Sequence, residues 1–399
     1  MTDRLYYGDS YLKAFDATVT QVRPDGWIAL DRSAFYPTSG GQPYDTGVLQ
    51  HGEQTVRVTD VQAENQTVWH RVSGEAKLNV GDTVRGAIDW DRRWDHMQQH
   101  AADHMLAGAA WQMFGGVTIG LHLGKENSTI DMDLPDGRTH LTAEETERLE
   151  DLVNRRVQQD DPIRCWFPSP EELETLPARK KPTVTEHVRI VAMGDYEMVP
   201  CGGTHPSTTG QIGPVKILSC TPSRGNMRLC FVAGMRAVKL FRQAYQCAGD
   251  MAAAVSADFA GALEALKRER EAALTQRKDL KDRLTLAALE MLKAGKEGDL
   301  YAAHLPFADH DTLLKAASEL TKEPQAIVLL SCPKGEGRML VFARGKDAAP
   351  DMAQLLRAAG ARGGGKPDMA QGSAPDGEAM RKAIESVRQE VGGLYTAFK

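Results

Sequence analysis

Alternating apolar and polar positions run through the first ninety residues. Residues 17–22, 26–30, 55–58 and 82–86 carry an apolar side chain at about every second position, with turn-forming residues between them. A period of two is typical of strands that bury one face. Several short strands separated by turns predict a small β-barrel over residues 1–90.

The pattern becomes helical after residue 90. Residues 91–113 predict a long helix, and a second helix begins at Thr142, which opens a capping box. Residues 120–133 and 188–191 have the apolar alternation of sheet strands. Helices mixed with strands predict an α+β core over residues 91–235.

The second half of the chain divides into a helical part and a mixed part. Residues 235–295 are rich in Ala, Leu, Glu, Lys and Arg and lack proline, which predicts a long helix or a helical hairpin as a linker over residues 236–298. Its basic side chains can face RNA, although a solvated helix face is the commoner meaning of such charge. Residues 299–399 predict an α/β domain from two strand runs and a helix, at 325–331, 339–343 and 351–357. The predicted fold class is α+β: a small N-terminal β-barrel, an α+β core, a long helical linker and a C-terminal α/β domain.

Composition narrows the classes of protein. The 399 residues are 42% apolar and 26% charged, with a formal net charge of −6, so contact with nucleic acid would need local basic patches. Six scattered cysteines fit reduced thiols rather than a disulfide framework. The sequence shows no signal-peptide core and no apolar run of about eighteen residues, so we expect a cytoplasmic protein without a membrane partner.

Four residues make a complete set of zinc ligands. His100 and His104 are four apart on the predicted helix and therefore share one face, and Cys201 and His205 flank a turn with two glycines. Three imidazole nitrogens and one thiolate suit a tetrahedral Zn²⁺ site. The alternative is a buried cysteine near unrelated surface histidines.

His96 leaves one ambiguity, because it precedes His100 by the same interval of four. Spacing alone allows either adjacent pair to bind the metal. A charged run at residues 91–95 precedes His96, whereas Met105 and a run of small residues follow His104. We therefore predict His100 and His104 as the ligands and His96 as a rim or solvent-exposed residue.

The residues around these ligands exclude two familiar classes of zinc protein. No Glu follows the first histidine of the pair, so the His-Glu-x-x-His pattern of zinc peptidases is absent. No second Cys-x-x-Cys pair completes a ribbon or a finger. Two kinds of site are left: a structural site with four protein ligands, and a catalytic site in which one ligand position opens to water or substrate.

Two glycine-rich segments can approach a ligand closely. In residues 34–47, Gly40 and Gly41 lie between two prolines, and a hairpin turn is the alternative interpretation. In residues 362–373, three glycines lie between Arg362 and Lys366, a composition that suits phosphate binding by a loop, and a flexible interdomain loop is the alternative. The second segment lacks the Gly-Lys-Ser/Thr ending of a P-loop, so it does not indicate ATP binding.

With these motifs in this order, nearly the whole chain resembles the free-standing alanyl-tRNA editing proteins (AlaX, long form). That family is related to the editing and C-terminal domains of alanyl-tRNA synthetase. Phe35-Tyr-Pro-Thr-Ser-Gly-Gly-Gln-Pro resembles its glycine-rich motif, and the two ligand pairs resemble its two zinc motifs. Gly-Gly-Gly-Lys-Pro-Asp-Met-Ala-Gln resembles its DHH-associated C-terminal domain, which holds tRNA and supports dimers. The chain departs from the family at Ala101, where the first zinc motif commonly has Thr, which puts a hydrogen bond near the metal in doubt.

The resemblance implies a function and assigns residues to it. It implies hydrolysis of mischarged tRNA(Ala), chiefly seryl- and secondarily glycyl-tRNA(Ala), in a zinc-binding editing core at residues 91–235, with a homodimer through the C-terminal region. The chain starts at the barrel, so we expect no ligase activity. The amino-acid pocket is expected at Thr38, Gly40 and Gly41. The expected tRNA-binding residues are Arg362, Gly363, Gly364, Gly365 and Lys366.

No general base is evident from the sequence. Asp103 and Asp131 are candidates because they lie near the ligands in sequence, although a structural carboxylate is the alternative for each. Two other functions compete with editing. One is a tRNA-binding protein with a closed, structural zinc, and the other is a zinc-dependent hydrolase of another small ester or amide.

Overall fold

The chain forms two compact units in the computed structural model. The structure describes residues 1–74, 77–135, 137–180 and 187–396, and the units are Met1–Cys247 and Ala248–Lys399. Both units mix helices with sheets, which confirms the predicted α+β class. The four-part division at residues 90, 235 and 298 stays a prediction.

The first part of unit one is a closed six-stranded barrel, as predicted. Its order is β2-β3-β7-β6-β5-β8, all paired antiparallel, and short β1 pairs in parallel with β4 beside it. Val56 and Val58 of β6 are buried between exposed neighbours, which is the period of two seen in the sequence. Two barrel strands, β5 and β7, were not predicted. The strands are β1 (Asp3–Arg4), β2 (Ala14–Val22), β3 (Trp27–Leu30), β4 (Arg32–Ser33), β5 (Gly47–His51), β6 (Gln54–Glu64), β7 (Thr67–Ser73) and β8 (Thr83–Ile88).

A long helix and two sheets complete unit one. Helix α1 begins after Asp89 and ends at Gly115, whose φ of 68° is the left-handed geometry that favours glycine. One sheet has the order β14-β15-β10-β9, and the other has the order β11-β12-β13. The elements are α1 (Trp90–Phe114), β9 (Val117–Leu123), β10 (Ser128–Asp133), α2 (Ala143–Gln159), β11 (Ile163–Trp166), α3 (Pro170–Thr175), β12 (Ile190–Met193), β13 (Glu197–Pro200), β14 (Val215–Ser223) and β15 (Asn226–Ala233).

Helix α1 is the central element of this unit. Its alanines and Met105 pack with Ile130 and Phe231 of the four-stranded sheet in one apolar cluster. At its first turn, Nε of Arg93 donates a hydrogen bond to Asp45 at 3.0 Å, and both side chains are fully buried. The barrel and α1 are thereby held together by a desolvated ion pair. The capping box predicted at Thr142 is present at the start of α2.

Unit two has helices on both faces of a five-stranded sheet. Its order is β16-β17-β18-β20-β19; β16 and β17 run parallel, and the other pairs are antiparallel. Alternate side chains of the sheet join two apolar clusters, one with α7 and α8 and one with α5 and α6. The predicted linker forms two helices, α4 and α5. The elements, beginning at the end of unit one, are α4 (Met235–Ala254), α5 (Ala262–Ala294), β16 (Leu300–His304), α6 (His310–Leu320), β17 (Ile327–Lys334), β18 (Gly337–Arg344), α7 (Met352–Ala358), β19 (Arg362–Gly365), β20 (Met369–Ala374) and α8 (Glu378–Thr396).

The predicted glycine loop at residues 362–373 is instead a β-hairpin, so the loop prediction was wrong. Strand β19 pairs with β20, and Gly363 lies opposite Gly372. A Cβ on Gly363 would lie 2.2 Å from the carbonyl oxygen of Gln371. The glycines allow a close approach of two backbones here rather than a flexible loop. In the described parts of the chain, no helix is both long and apolar enough to cross a membrane.

Candidate metal centre

The structure brings His100, His104, Cys201 and His205 together. The two histidines of α1 face the loop after β13, and one ligand atom from each of the four residues lies within 4.8 Å of all the others. Sγ of Cys201 is 3.5 Å from Nε2 of His100 and 3.4 Å from Nε2 of His205. Ligands at usual zinc distances in a tetrahedron are about 3.3–3.7 Å apart. The donor set and the two distances from Cys201 therefore fit a metal such as Zn²⁺.

The loop from Cys201 to His205 needs one of its two glycines for this geometry. A Cβ on Gly203 would lie 2.1 Å from Cε1 of His100, whereas a Cβ on Gly202 would meet only the hydroxyl of Tyr7, at 3.4 Å. Arg189 holds the loop in place by donating hydrogen bonds to the carbonyls of Cys201 at 3.0 Å and Gly203 at 2.8 Å. Gly203 thus lets the loop approach the helix.

Gln42 links the glycine-rich segment of the barrel to both pairs of metal-binding candidates. Its Oε1 lies 2.8 Å from Nδ1 of His100 and accepts a hydrogen bond from the N–H of Thr204 at 3.1 Å. Its Nε2 donates to Oγ1 of Thr204 at 2.8 Å, and the side chain is fully buried. Sequence reasoning missed this residue. An amide directly after Gly40 and Gly41 was the available signal, since a polar group in a close-packed loop needs partners.

Burial sets the charge of the four candidate ligands. It lowers the pKa of His100 to about 4 and holds the pKa values of His104 and His205 well below the usual range. These imidazoles are therefore neutral at pH 7 and have lone pairs for a metal. Burial also raises the pKa of the Cys201 thiol to about 12, so a thiolate at this place needs a cation beside it.

The prediction that His96 is solvent-exposed was wrong. The residue is 5% exposed, and burial lowers its pKa to about 3. The charged run before it is only partly at the surface, because Arg93 in that run is itself buried in the ion pair with Asp45. His96 lies outside the group of four.

A cavity of about 380 Å³ opens beside the four residues. Tyr36, Ser39 and Gly40 line it from the barrel, and residues 118–121 line it from β9. Gly41 packs against β9, where its carbonyl accepts a hydrogen bond from the N–H of Leu123 at 3.2 Å. Of the predicted pocket residues, Gly40 lines the cavity directly. Thr38 is exposed and is not among the lining residues.

Three buried polar atoms of the cavity wall have no hydrogen-bond partner among the described residues. They are Oδ1 of Asp103, which is 6% exposed, Nδ1 of His104 and Oγ1 of Thr118. Burial raises the pKa of Asp103 to about 7, against an opposing effect of Arg179. Asp131 is different, because it forms an ion pair with Arg228 at 2.7 Å on the four-stranded sheet. Ala101, the departure from the family motif, is fully buried in the apolar core.

The predicted tRNA-binding residues lie on the exposed hairpin of unit two. Arg362 lines a cleft of about 540 Å³ together with Lys334 and Arg338, and none of these cations has a carboxylate within 4.0 Å in the part of the chain that is described. Lys366 is exposed at the turn, where its N–H donates to the carbonyl of Met369 at 2.8 Å. The exposed glycines between them are Gly363, Gly364 and Gly365.

Three family models match this chain. The model for tRNA synthetases class II (A) matches residues 10–92, and the model for the threonyl and alanyl tRNA synthetase second additional domain matches residues 188–229. The DHHA1 domain model matches residues 300–393. The matches cover the barrel, the loop with Cys201 and His205, and the sheet of unit two.

Curated relatives match along almost the whole chain. The alanine–tRNA ligase of Pyrococcus abyssi is 33% identical over 97% of this chain and 43% of its own length. The alanine–tRNA ligase of Thermococcus kodakarensis is 32% identical over 98% of this chain and 44% of its own length. The chain thus spans less than half the length of these relatives.

A solved structure matches a smaller part. The C-Ala domain of Aquifex aeolicus alanyl-tRNA synthetase is 20% identical, with a TM-score of 0.21, and the match covers 23% of this chain and 87% of that domain. The family models and the ligases carry the assignment. The chain belongs with the relatives of alanyl-tRNA synthetase, and it carries the second additional domain and the DHHA1 domain.

Proposed function

We propose that the protein hydrolyses the ester bond of seryl-tRNA(Ala), and secondarily of glycyl-tRNA(Ala), at a zinc site of His100, His104, Cys201 and His205. The observation that carries the proposal is the grouping of these four residues, three of which, His100, His104 and Cys201, line a 380 Å³ cavity in a chain related to alanyl-tRNA synthetases. A cavity of this size accommodates an amino acid and part of a ribose.

The need for such a reaction follows from the limited selectivity with which a synthetic active site binds alanine. A synthetic site for alanine cannot exclude the smaller glycine and rejects the added hydroxyl of serine only about 10²-fold. A second, hydrolytic site corrects the error. In this step a water oxygen bonds to the ester carbonyl carbon, the bond from that carbon to the ribose oxygen breaks, and the ribose oxygen takes a proton. The products are the free amino acid and uncharged tRNA.

The residues of the chain would hold the metal and the substrate. A bound Zn²⁺ supplies Lewis acidity at the ester. Gln42 fixes the tautomer of His100, so that Nε2 faces the metal position. The backbone at Gly40 leaves room for the substrate in the cavity wall. The unpartnered hydroxyl of Thr118 is placed to pair with the hydroxyl of serine.

The proposal includes contact with the tRNA backbone through unit two. Arg362, Lys334 and Arg338 supply positive charge that no described carboxylate pairs with, and the glycine hairpin with Lys366 exposes its backbone beside Arg362. Exposed leucines on α5, among them Leu274 at 56%, support a homodimer through the C-terminal region. We expect the protein to work in the cytoplasm, where charged tRNA is used.

One observation favours a second candidate function. All four ligands of the candidate site come from the chain, as in closed structural zinc sites, whereas catalytic sites usually keep one position for water or substrate. A tRNA-binding protein with a structural zinc would have this arrangement and would cut no ester.

A deacylation assay separates the two functions. Purified zinc-loaded protein is incubated with seryl-, glycyl- and alanyl-tRNA(Ala), and loss of the ester is followed over time. We expect rapid loss of seryl-tRNA with alanyl-tRNA spared. We expect His104→Ala to abolish hydrolysis and still bind tRNA. His122→Ala, at an exposed histidine outside the site, is the matched control. If none of the three esters is cleaved, the structural alternative replaces the editing function.

A further inference from the structure

Asp103 shares the face of α1 that carries the two candidate metal ligands. It lies three residues after His100 and directly before His104, and residues three and four apart on a helix project to the same side. It lines the same cavity as His100, His104 and Cys201.

This carboxyl group is available to a ligand. Asp103 is 6% exposed, and its Oδ1 has no hydrogen-bond partner among the described residues. Arg179, a cation of the cavity wall, is already paired with Glu197 at 2.8 Å. Among the described residues that line the cavity, Asp103 is the one carboxylic acid. A buried carboxyl group without a partner is costly unless a bound group completes it.

We propose that Asp103 is the residue that binds the α-ammonium group of the aminoacyl ester, so that the cavity selects esters with a free α-amine. This inference rests on the proposed function. In an aminoacyl ester the ammonium group is on the carbon next to the ester carbonyl. A carboxylate beside the metal ligands can therefore accept its hydrogen bonds while the carbonyl lies at the metal position. Asp103 is thus assigned as a positioning residue.

Binding of uncleavable analogues tests this assignment without any hydrolysis. The probes are 3′-serylamino-3′-deoxyadenosine, an amide, and its glyceroyl counterpart, in which a hydroxyl replaces the α-amine. Affinities of both for the zinc-loaded protein are measured by calorimetry. We expect the amine probe to bind about ten- to a hundredfold more tightly, which is the usual range for a charge-assisted hydrogen bond. In Asp103→Asn the two affinities should become equal within about twofold.

Controls keep the test specific. Asp131→Asn, which removes a surface ion pair outside the cavity, should keep the preference of the unmodified protein. Zinc content and thermal melting of Asp103→Asn show whether the site is intact.

Two outcomes would overturn the inference. One is equal or absent binding of both probes by the unmodified protein, and the other is a preference that persists in Asp103→Asn. A general base at Asp103 would give the second outcome, because the variant would lose turnover and keep the amine preference. Failure of seryl-tRNA hydrolysis in the separate assay concerns the proposed function alone.

Discussion

Nδ1 of His100 lies 2.8 Å from Oε1 of Gln42, so a loop of the barrel orients a histidine of the central helix. The amide oxygen can only accept, which places the proton of the imidazole on Nδ1 and leaves the lone pair on Nε2. Nε2 is the atom that faces Cys201. The glycine-rich segment therefore acts on the metal site through the glutamine that follows its glycines.

Replacement of Gln42 should weaken metal binding. Gln42→Ala removes the acceptor of His100 and the partner of Thr204, so we expect the zinc affinity to fall about 10- to 100-fold. Competition with a chelator of known affinity measures it. Gln50→Ala, at an exposed glutamine of the same barrel, should leave the affinity unchanged. An unaltered affinity in Gln42→Ala would contradict the orienting role.

The two glycines of the Cys-Gly-Gly-Thr-His loop should differ in their tolerance of a side chain. Gly203→Ala places a methyl group against the ring of His100 and should reduce both zinc content and the melting temperature. Gly202→Ala meets only the Tyr7 hydroxyl and should bind zinc normally. Metal analysis of both purified variants makes the comparison, and equal zinc loss in the two would contradict the geometry.

Thr118 should contribute to the preference for serine. Thr118→Val keeps the shape and removes the unpartnered hydroxyl, so we expect the rate ratio of seryl- to glycyl-tRNA(Ala) hydrolysis to fall about two- to tenfold. Thr38→Val is the control, since Thr38 is exposed and does not line the cavity. A ratio that falls in Thr38→Val instead would restore the pocket predicted from the sequence.

The barrel should lose stability in mild acid because of His70. Burial lowers the pKa of His70 to about 4, and its Nε2 lies 2.8 Å from Oγ of Ser33 inside the barrel. The unfolded chain has a histidine pKa near 6.5, so it binds more protons than the folded chain between pH 6.5 and 4. The contribution of neutral His70 to folding stability is fully present above pH 6.5 and is lost as the pH is lowered towards 4. At pH 5 the loss should be about 2 kcal/mol.

Urea unfolding at pH 7.5 and pH 5 measures this loss. His70→Gln cannot take up the proton, so its unfolding free energy should change less between the two pH values. His51→Gln, at a less buried histidine of the same barrel, should follow the unmodified protein. An unchanged pH response in His70→Gln would refute the assignment to His70.

The basic cleft of unit two should account for part of the salt dependence of tRNA binding. Arg362→Gln and Arg338→Gln should each weaken binding and lower the slope of log affinity against log salt by about one. Arg381→Gln, which breaks an exposed ion pair with Glu378, should have a smaller effect. Titrations with labelled tRNA at several salt concentrations provide the slopes.

The sequence predicted those parts of the fold that depend on local patterns. The alternation of Val56 and Val58 indicated a strand, and the spacing of His100 and His104 placed both imidazoles on one helix face. These features follow from backbone periodicity alone. The capping box that opens α2 was also a local signal, because Thr142 and Glu145 are three residues apart.

The sequence did not predict contacts between distant segments. The bond from His100 to Gln42 spans 58 positions, and no local pattern marks it. His96 was expected at the surface because charged residues precede it, yet Arg93 in that run finds its partner in the barrel. The glycines of β19 were interpreted as a loop. Their role is to let β19 approach β20 closely, and the sequence of β19 alone does not show that pairing.

The buried pair of Arg93 and Asp45 has a consequence for folding of the chain during its synthesis on the ribosome. Asp45 is made 48 residues before Arg93, a delay of roughly 2 to 10 s at ordinary rates of translation. During that interval its carboxylate must stay hydrated, because burying it without the guanidinium would be costly. A barrel that closed earlier would bury the Asp45 carboxylate without its partner, so favourable closure of this side depends on the first turn of α1.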